Sequence, residues 1–254
     1  MKNKKTIVEQ RQDEILKKIN HHGQVTVNEM SNFFDVSNLT IRRDLDKLAL
    51  IGEVERFHGG ARKLKNNIKK ENKILDAKKN AIAKKAAEFI EDGDTVFLNS
   101  SSTARLCLKY IESENVTIIT NNAKTLYTDR ANGINLILTG GLISVPKETL
   151  TGEFALSNLE KVIASCCIMG CSGLSINGGI TTSNLEESTV NKTMIKNTSG
   201  EKIIITDSSK IGHNHTFLSC NINEISTIIT DSDIDTKSVA ALEKIGIKVI
   251  LVEY

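Results

Sequence analysis

The sequence lacks any apolar run long enough to cross a membrane, and its N-terminus lacks the pattern of a secretory signal peptide. These two absences argue against a membrane-spanning or secreted protein. We therefore expect a soluble, cytoplasmic chain with no membrane partner. Its 254 residues are enough for two domains and a sizeable core.

Cysteine is present, but in no arrangement that predicts a disulfide framework or a metal motif. Three of the five cysteines lie within residues 166–171, yet no histidine is near them and two of the three fall inside an apolar run. We predict reduced core thiols, no metal site and no cofactor. The five cysteines are Cys107, Cys166, Cys167, Cys171 and Cys220.

The chain as a whole lacks a large excess of either positive or negative charge, since its net charge is only +2. The charge is nevertheless uneven. Residues 1–70 hold 15 Lys and Arg against 9 Asp and Glu, whereas residues 71–254 hold 18 against 22. A basic first part on a mildly acidic body favours binding of a polyanion by the first part alone.

The most informative stretch is residues 25–44, VTVNEMSNFFDVSNLTIRRD, which predicts two short helices joined by a tight turn, a helix-turn-helix. Ser37 is expected to cap the second helix by accepting a backbone N–H. In that helix Ile41, Leu45 and Leu48 recur at core spacing and are expected to be buried. The residues expected to share the inner face of the first helix are Val27, Met30, Phe33 and Phe34.

The outer face of the second helix carries residues that suit nucleic acid. Its first turn is expected to reach base edges, and at least one of its arginines is expected to contact only phosphate. Asp44 is expected to be structural, either pairing with an arginine or fixing the packing of the three helices. The candidate DNA-binding residues of this helix are Ser37, Asn38, Thr40, Arg42 and Arg43.

Two flanking elements complete the predicted first domain, residues 1–62. Residues 7–20 predict an amphipathic helix, and residues 52–61 predict a β-hairpin that would lie as a wing against the DNA backbone or minor groove. The wing contributes the candidates Arg56 and His58. For His58, contact with phosphate and completion of the turn are equally good interpretations.

A linker composition, rich in lysine and asparagine, marks residues 63–75, and an amphipathic helix is predicted from Asp76. The second domain, residues 76–254, then alternates apolar strands with helices, which predicts a parallel sheet covered on both faces. Strands are predicted at 95–98, 116–119, 135–138, 163–169, 202–206, 227–229 and 248–252, and helices at 103–111, 123–131, 186–197 and 236–245.

Small polar or glycine residues follow most of these strands, and open α/β sheets bind ligands at the carboxyl ends of their strands. The loop at 100–103 opens a helix, so its hydroxyls and backbone N–H groups favour an anion such as phosphate. Capping of the helix is an equally good interpretation for any single residue. The candidate effector-binding residues are Asn99, Ser100, Ser101, Ser102, Thr103, Asn121, Gly140, Gly141, Gly170, Glu187, Asp207 and Lys210.

Several strings carry a family resemblance over nearly the whole chain. In the first domain they are GQV at 23–25, VSNLTIRRDL at 36–45 and RFHGGA at 56–61. They resemble the N-terminal signature of the DeoR family of bacterial transcriptional regulators. In the second domain, GDT at 93–95, ITN at 119–121, GG at 140–141, GGITT at 178–182 and DSSK at 207–210 look like that family's C-terminal sensor.

The resemblance implies a winged helix-turn-helix joined to a Rossmann-like sensor similar in fold to ribose-phosphate isomerases and coenzyme A transferases. It implies a repressor of a sugar-metabolism operon that a phosphorylated sugar or related intermediate releases from its double-stranded DNA operator. It also implies that part of the linker is helical. Because one head reads few bases, we expect a homodimer or tetramer held together by the sensor.

Four positions depart from the family pattern, which usually has an aspartate where Asn99 stands and a glycine at Ser101, and often has an acid at Ser165 and a lysine at Asn191. An amide at 99 donates as well as accepts, and a side chain at 101 narrows the predicted phosphate cradle. These departures leave three interpretations open: the effector is unusual, the affinity for a common effector is altered, or the effector pocket has decayed.

Two other functions remain open. A sugar-phosphate isomerase would need a placed carboxylate base, for which Glu186, Glu187 and Asp207 are available, although Glu187 also suits a helix N-terminus. A DNA-binding head is unexpected on a metabolic enzyme, so we predict no catalytic residue. The other alternative is a DNA-binding regulator whose degenerate sensor serves only oligomerisation. Titration with phosphorylated sugars distinguishes it.

Overall fold

The computed structural model describes residues 7–63, 66–145 and 147–254. The chain divides into two compact units between Ile74 and Leu75. Residues 1–6 of the predicted first domain and 64–65 of the predicted linker lie outside the described residues. Within the described ranges, no helix combines the length and the apolar character needed to cross a membrane.

Up to Lys63, the described part of the first unit contains three helices and a three-stranded antiparallel sheet of order β1-β3-β2. The predicted wing is the β2–β3 hairpin, and β1, which was not predicted, adds a third strand by pairing with β3. The predicted winged helix-turn-helix fold is confirmed. Its elements are α1 (Ile7–His22), β1 (Gln24–Thr26), α2 (Val27–Phe34), α3 (Asn38–Leu50), β2 (Val54–Phe57) and β3 (Gly60–Lys63).

The core of this unit has the predicted centre. Ile41, Leu45 and Leu48 of α3 are buried, and they pack with Ile15 and Ile19 of α1. Full burial of such a side chain stabilises the fold by about 1.5–3 kcal/mol. One face of α3 is therefore committed to the core, which leaves the opposite face to solvent.

The prediction that Phe33 faces this core is wrong, because 55% of the residue is exposed. At 100° per residue, Met30 and Phe34 fall within about 60° of Val27 around α2, whereas Phe33 falls about 120° away. Its ring lies on the surface, edge-to-face with Phe34 and 3.7 Å from the ammonium of Lys18.

The predicted helix start at Asp76 is also wrong, because helix α4 spans Asn66–Ala87 and includes most of the predicted linker. Lysine and glutamate are good helix formers, so a polar composition does not prevent a helix. The boundary between the two compact units falls inside α4. The family resemblance indicated this helical linker, whereas composition alone did not.

The second unit is built on a seven-stranded, wholly parallel sheet of order β15-β14-β12-β9-β4-β5-β6, which confirms the predicted α/β class. After α4, its elements are β4 (Thr95–Leu98), α5 (Ser102–Leu106), β5 (Thr117–Thr120), β6 (Asn135–Leu138), β7 (Leu142–Ser144), β8 (Thr149–Thr151), α6 (Glu153–Leu159), β9 (Ala164–Gly170), β10 (Gly173–Ser175), β11 (Gly179–Thr182), α7 (Leu185–Lys196), β12 (Thr198–Ile205), β13 (Phe217–Cys220), β14 (Thr227–Asp231), α8 (Thr236–Lys244) and β15 (Lys248–Val252).

Alternate residues of each central strand enter different hydrophobic clusters. In β4, Val96 and Leu98 join a cluster that contains α4 residues, whereas Phe97 joins a cluster that contains residues of α6, α7 and α8. This alternation is the period of a strand covered on both faces. The sheet therefore separates two apolar layers.

Short elements account for the remaining differences from prediction. The predicted helix at 123–131 is only a 3-10 turn, Ala123–Tyr127, and the helix predicted at 103–111 is α5 followed by a 3-10 turn, Cys107–Lys109. Three features were not predicted: the β7–β8 hairpin, the helix α6 and a small antiparallel sheet of order β10-β11-β13.

Candidate functional site

The start of α3 is organised by its cap. Ser37 accepts a hydrogen bond from the backbone N–H of Thr40 at 3.2 Å, and the two hydroxyl oxygens are 2.9 Å apart. Asn38 donates its amide to the side-chain oxygen of Asn28 on α2 at 3.1 Å. The predicted capping role of Ser37 is confirmed, and the first turn of α3 is held against α2.

Arg42 and Arg43 are exposed on the side of α3 away from the core. Within the described part of the chain, no carboxylate contacts either guanidinium. The next residue, Asp44, is buried, and it accepts hydrogen bonds from Arg11 at 2.6 Å and Gln12 at 2.8 Å. Asp44 therefore ties α3 to α1, as predicted, and leaves both α3 arginines available to an anion.

The wing residues differ in what they contact. Arg56 donates to Asp46 of α3 at 2.9 Å and also to the backbone oxygen of Gly60, so its side chain braces the hairpin. His58 is exposed at the turn of the wing. Gly60 has no room for a side chain, because an added Cβ would collide with the backbone oxygen of Val25 and the ring of Phe57.

In the second unit, Asn99 follows β4 and joins two neighbouring segments. Its amide donates to the Gly170 oxygen at 2.8 Å and to the side-chain oxygen of Asn191 at 3.1 Å. Its oxygen accepts from the backbone N–H groups of Gly170 at 3.0 Å and Ser101 at 3.2 Å. Two donors and two acceptors are all the capacity of an asparagine side chain, and all four are used.

Hydrogen bonds hold the loop after Asn99 to the start of α5 and to the loop after β5. Ser101 accepts from the backbone N–H groups of Thr103 at 3.2 Å and Ala104 at 3.5 Å, so it is the N-cap of α5. Ser102 is exposed and Thr103 is buried. The backbone oxygen of Ser100 accepts from the amide of Asn122 at 3.2 Å, which joins the loops after β4 and β5.

Asn121, beside this contact, is fully buried. Its amide donates to the Leu150 oxygen at 3.3 Å, but its own side-chain oxygen has no hydrogen-bond partner among the described residues. Gly140 and Gly141 follow β6 with positive φ angles of 71° and 108°. At Gly141 the backbone oxygen of Thr151 leaves no space for a Cβ atom.

The two acids that open α7 hold the β7–β8 hairpin. Glu187 is buried and pairs with Lys147 at 2.8 Å, while Thr182 donates to its other oxygen at 3.2 Å. Glu186 accepts a hydrogen bond from Thr151 at 2.7 Å. These carboxylates therefore connect α7 to the segment that follows β6.

Asp207 and Lys210 form a second group, at the end of β12. Asp207 is buried, accepts a hydrogen bond from Ser209 and pairs with Lys210 at 3.4 Å. The next residue, Ser208, donates its backbone N–H and its hydroxyl to Asp231 at 2.7 and 2.8 Å. This group is thus joined to the end of β14, whereas Asn99 is joined to the end of β9.

Three residues near the predicted site escaped sequence reasoning: Arg105, Asn122 and Lys147. Arg105 is partly buried, burial lowers its pKa, and its guanidinium donates to the Thr128 hydroxyl at 2.9 Å. Only its position after the Ser-Ser-Thr loop could have indicated it.

A groove of about 440 Å³ lies elsewhere on this unit, lined by Leu174, Ile211, Lys237 and Leu242 among others, and none of the predicted effector residues lines it.

All five cysteines are free; four are buried and Cys171 is partly exposed. Burial raises the pKa of Cys107 and Cys220 to about 12 and that of Cys167 to about 11, so these groups are neutral thiols at neutral pH. In the described ranges, no cluster of three or more His, Cys, Asp or Glu side chains could hold a metal ion.

A winged helix-turn-helix with exposed arginines on α3, attached to a separate parallel α/β unit, defines a DNA-binding transcriptional regulator. Residues 11–67 match the DeoR-like helix-turn-helix domain, and residues 76–232 match the DeoR C terminal sensor domain. The chain belongs to the DeoR family.

Relatives match over nearly their whole length. The HTH-type transcriptional regulator YulB of Bacillus subtilis is 32% identical over 96% of each chain. The lactose phosphotransferase system repressor of Staphylococcus aureus is 33% identical over 90% of this chain and 94% of its own. Among solved structures, ribose 5-phosphate isomerase from Plasmodium falciparum overlaps 52% of each chain at 20% identity, with a TM-score of 0.38.

Proposed function

We propose that this regulator represses a sugar-metabolism operon and that a phosphorylated sugar or related intermediate releases it from its operator. The guanidinium groups of Arg42 and Arg43, which are exposed and contact no carboxylate among the described residues, carry the DNA-binding part of the proposal. Similarity to the lactose phosphotransferase system repressor, over 94% of that protein, supports a sugar operon.

For the effector, the proposed site is the crevice at the carboxyl ends of β4, β5, β6 and β9, with the Asp207–Lys210 loop beside it. The hydrogen bonds between Asn99 and Gly170 and between Asn122 and Ser100 bring three of these loops together. The partly buried guanidinium of Arg105 contacts only a hydroxyl within the described residues, which favours an anionic guest.

We further propose that the chain is not an enzyme. The carboxylates considered as bases are each engaged within the fold: Glu187 with Lys147, Glu186 with Thr151 and Asp207 with Lys210. An engaged carboxylate is poorly placed to take a proton from a substrate.

The alternative of a sensor used only for oligomerisation has one observation in its favour. All four positions that depart from the family pattern, Asn99, Ser101, Ser165 and Asn191, form hydrogen bonds within the protein. Such residues add little to effector binding. In either case we propose that two or more copies bind one operator, because a single head reads too few bases.

The DNA-binding part is tested by replacing Arg42 or Arg43 with alanine. Each arginine that contacts phosphate contributes about one unit to the salt slope of the binding constant, so its loss should lower that slope by about one. Loss of a base contact should instead cost roughly 1–3 kcal/mol and relax specificity at one position. Fluorescence anisotropy measures both the salt slope and the loss of affinity, on a duplex that the purified protein has selected from a random pool.

Arg130→Ala provides the matched control, because Arg130 is an exposed arginine of the second unit. Its replacement should leave the slope unchanged. If both α3 variants bind like the wild type at every salt concentration, α3 does not contact DNA and the proposal is wrong.

The effector part is tested by thermal unfolding of the full chain with sugar phosphates, using the parent sugars as controls. Tyrosine fluorescence follows the second unit, because all three tyrosines lie at or after residue 110 and the chain has no tryptophan. Stabilisation by one phosphorylated sugar, without effect from the free sugar, is the expected result. No shift across the panel would favour a sensor used only for oligomerisation.

A further inference from the structure

One edge of the second unit exposes a set of large apolar side chains, which we call the rim patch. They lie in the 3-10 turn after β5, in β6, in the β7–β8 hairpin and at the start of α6, and each is between 48% and 84% exposed. The rim patch consists of Tyr127, Ile137, Leu142, Ile143, Val145 and Phe154.

Contacts between the underlying segments bring the rim patch together. Leu142 follows Gly141, at which an added Cβ would lie 3.2 Å from the Cβ of Ala155, the neighbour of Phe154. The 3-10 turn is hydrogen-bonded to the hairpin, since Ala123 donates to the Glu148 oxygen at 3.0 Å. The segments that carry the rim patch are therefore neighbours in the fold.

Charge is absent from the chain that forms most of this surface. The fifteen residues from Ala131 to Val145 contain no Asp, Glu, Lys or Arg. They include β6, which ends the seven-stranded sheet and has no outer neighbour in the described residues. The opposite edge, β15, begins with Lys248 and is followed by Glu253. Exposed sheet edges are commonly protected by charge, and β6 lacks that protection.

We propose that the rim patch is the surface through which this chain binds a second copy of itself. Because the segment from Ala131 to Val145 carries no charge, two copies related by a two-fold axis can bring this segment together without repulsion. The unpaired backbone groups at the edge of β6 are likewise self-complementary.

The size of the patch fits such a contact. With roughly 150–200 Å² for each large side chain, the exposed fractions add to about 700 Å², close to the roughly 800 Å² that each partner contributes to a standard interface. The proposal rests on the proposed function in one respect: two heads on one operator require a dimer, and this surface supplies it.

The experiment is sedimentation equilibrium of the full chain at micromolar concentration. Wild type is expected to be a dimer or larger. Leu142→Glu combined with Val145→Glu should raise the dissociation constant at least tenfold, because it places two buried carboxylates opposite their own copies. Both residues are exposed within the chain, so each copy should still fold. Far-UV circular dichroism checks the fold, and Val145→Glu alone serves if the double variant is unfolded.

The matched control is Ile163→Glu, which adds the same charge at a 76% exposed isoleucine outside the rim patch. It should leave the association unchanged. The proposal is overturned if wild type is a monomer, if the rim variants associate like wild type, or if the control dissociates as strongly as they do.

DNA binding separates this proposal from the proposed function. If the wild type binds its selected duplex but the rim variants remain associated, the rim-patch proposal is wrong and the proposed function is unaffected. If the rim substitutions dissociate the protein but the wild type never binds DNA, the rim patch is supported and the proposed function is wrong.

Discussion

At the scale of single residues, the hydrogen bonds of Asn99 show what an amide does at a position where the family usually has an aspartate. Its amide joins β4 to Gly170 of β9 and to Asn191 of α7, and it retains no hydrogen-bonding capacity. An aspartate in this position could not donate to either oxygen. The amide at position 99 is therefore matched to the amide at position 191, and two of the departures depend on each other.

We predict that Asn99→Asp destabilises the second unit by roughly 2–4 kcal/mol, because a buried acceptor would face two other acceptors. Burial should raise the pKa of the new carboxyl group, so the loss should grow as the pH rises above about 4. Urea unfolding followed by tyrosine fluorescence measures it.

Asn132→Asp is the control for this substitution, since Asn132 is exposed and should tolerate a carboxylate. Adding Asn191→Lys to Asn99→Asp restores the pair of residues typical of the family and should recover part of the lost stability. Wild-type stability in the single variant would contradict the bridging role of Asn99.

The residue types at this site could be predicted from the sequence, but their partners could not. Asn99 lies 71 residues from Gly170 and 92 from Asn191 along the chain. Only the order of strands in the sheet brings them together. The same holds for Glu187, whose partner Lys147 belongs to a hairpin that the apolar pattern did not indicate.

At the scale of elements, periodicity predicted those that are long and strongly patterned. The buried face of α3 and the seven strands of the parallel sheet are confirmed. Short elements were missed, because three alternating residues, as in β7 or β10, are too few to distinguish from a loop. The early start of α4 was missed because lysine and asparagine mark a linker as readily as a solvated helix.

One ion-pair group ties α4 to the sheet of the second unit. Lys78 lies 2.7 Å from Asp231, which is fully buried at the end of β14, and 2.6 Å from Asp233. Burial alone would raise the pKa of Asp231, but hydrogen bonds from Lys78 and Ser208 outweigh it and hold that pKa below its usual value.

We predict that Lys78→Met costs the second unit roughly 3–5 kcal/mol, because it leaves a buried carboxylate without its cation. Since the pKa of Asp231 is lowered by folding, its contribution is present above the unfolded pKa of about 4 and is lost as the pH falls through the folded value. The difference between variant and wild type should therefore shrink in acid.

Lys85→Met in the same helix is the control, because Lys85 pairs with Glu88 on the surface. It should cost less than about 1 kcal/mol. Equal losses in the two variants would show that the Lys78 group does not anchor α4.

At the scale of the whole molecule, the two compact units should unfold separately. Far-UV circular dichroism reports both units, whereas tyrosine fluorescence reports only the second, because all three tyrosines follow residue 75. We predict two urea transitions by circular dichroism and one by fluorescence. Lys78→Met should shift only the transition seen by fluorescence. Coincident transitions for both probes would mean that the units unfold as one.

The division of the second core by its sheet has a genetic consequence. Phe97 packs in one layer, with Met169 and Ile204, whereas its neighbours Val96 and Leu98 pack in the other. A void left by Phe97→Leu can be filled only from its own side, since the strand backbone lies between the layers. Suppressors of such a lesion should therefore arise in α6, α7 or α8 and not in α4, so the two layers should accumulate substitutions independently.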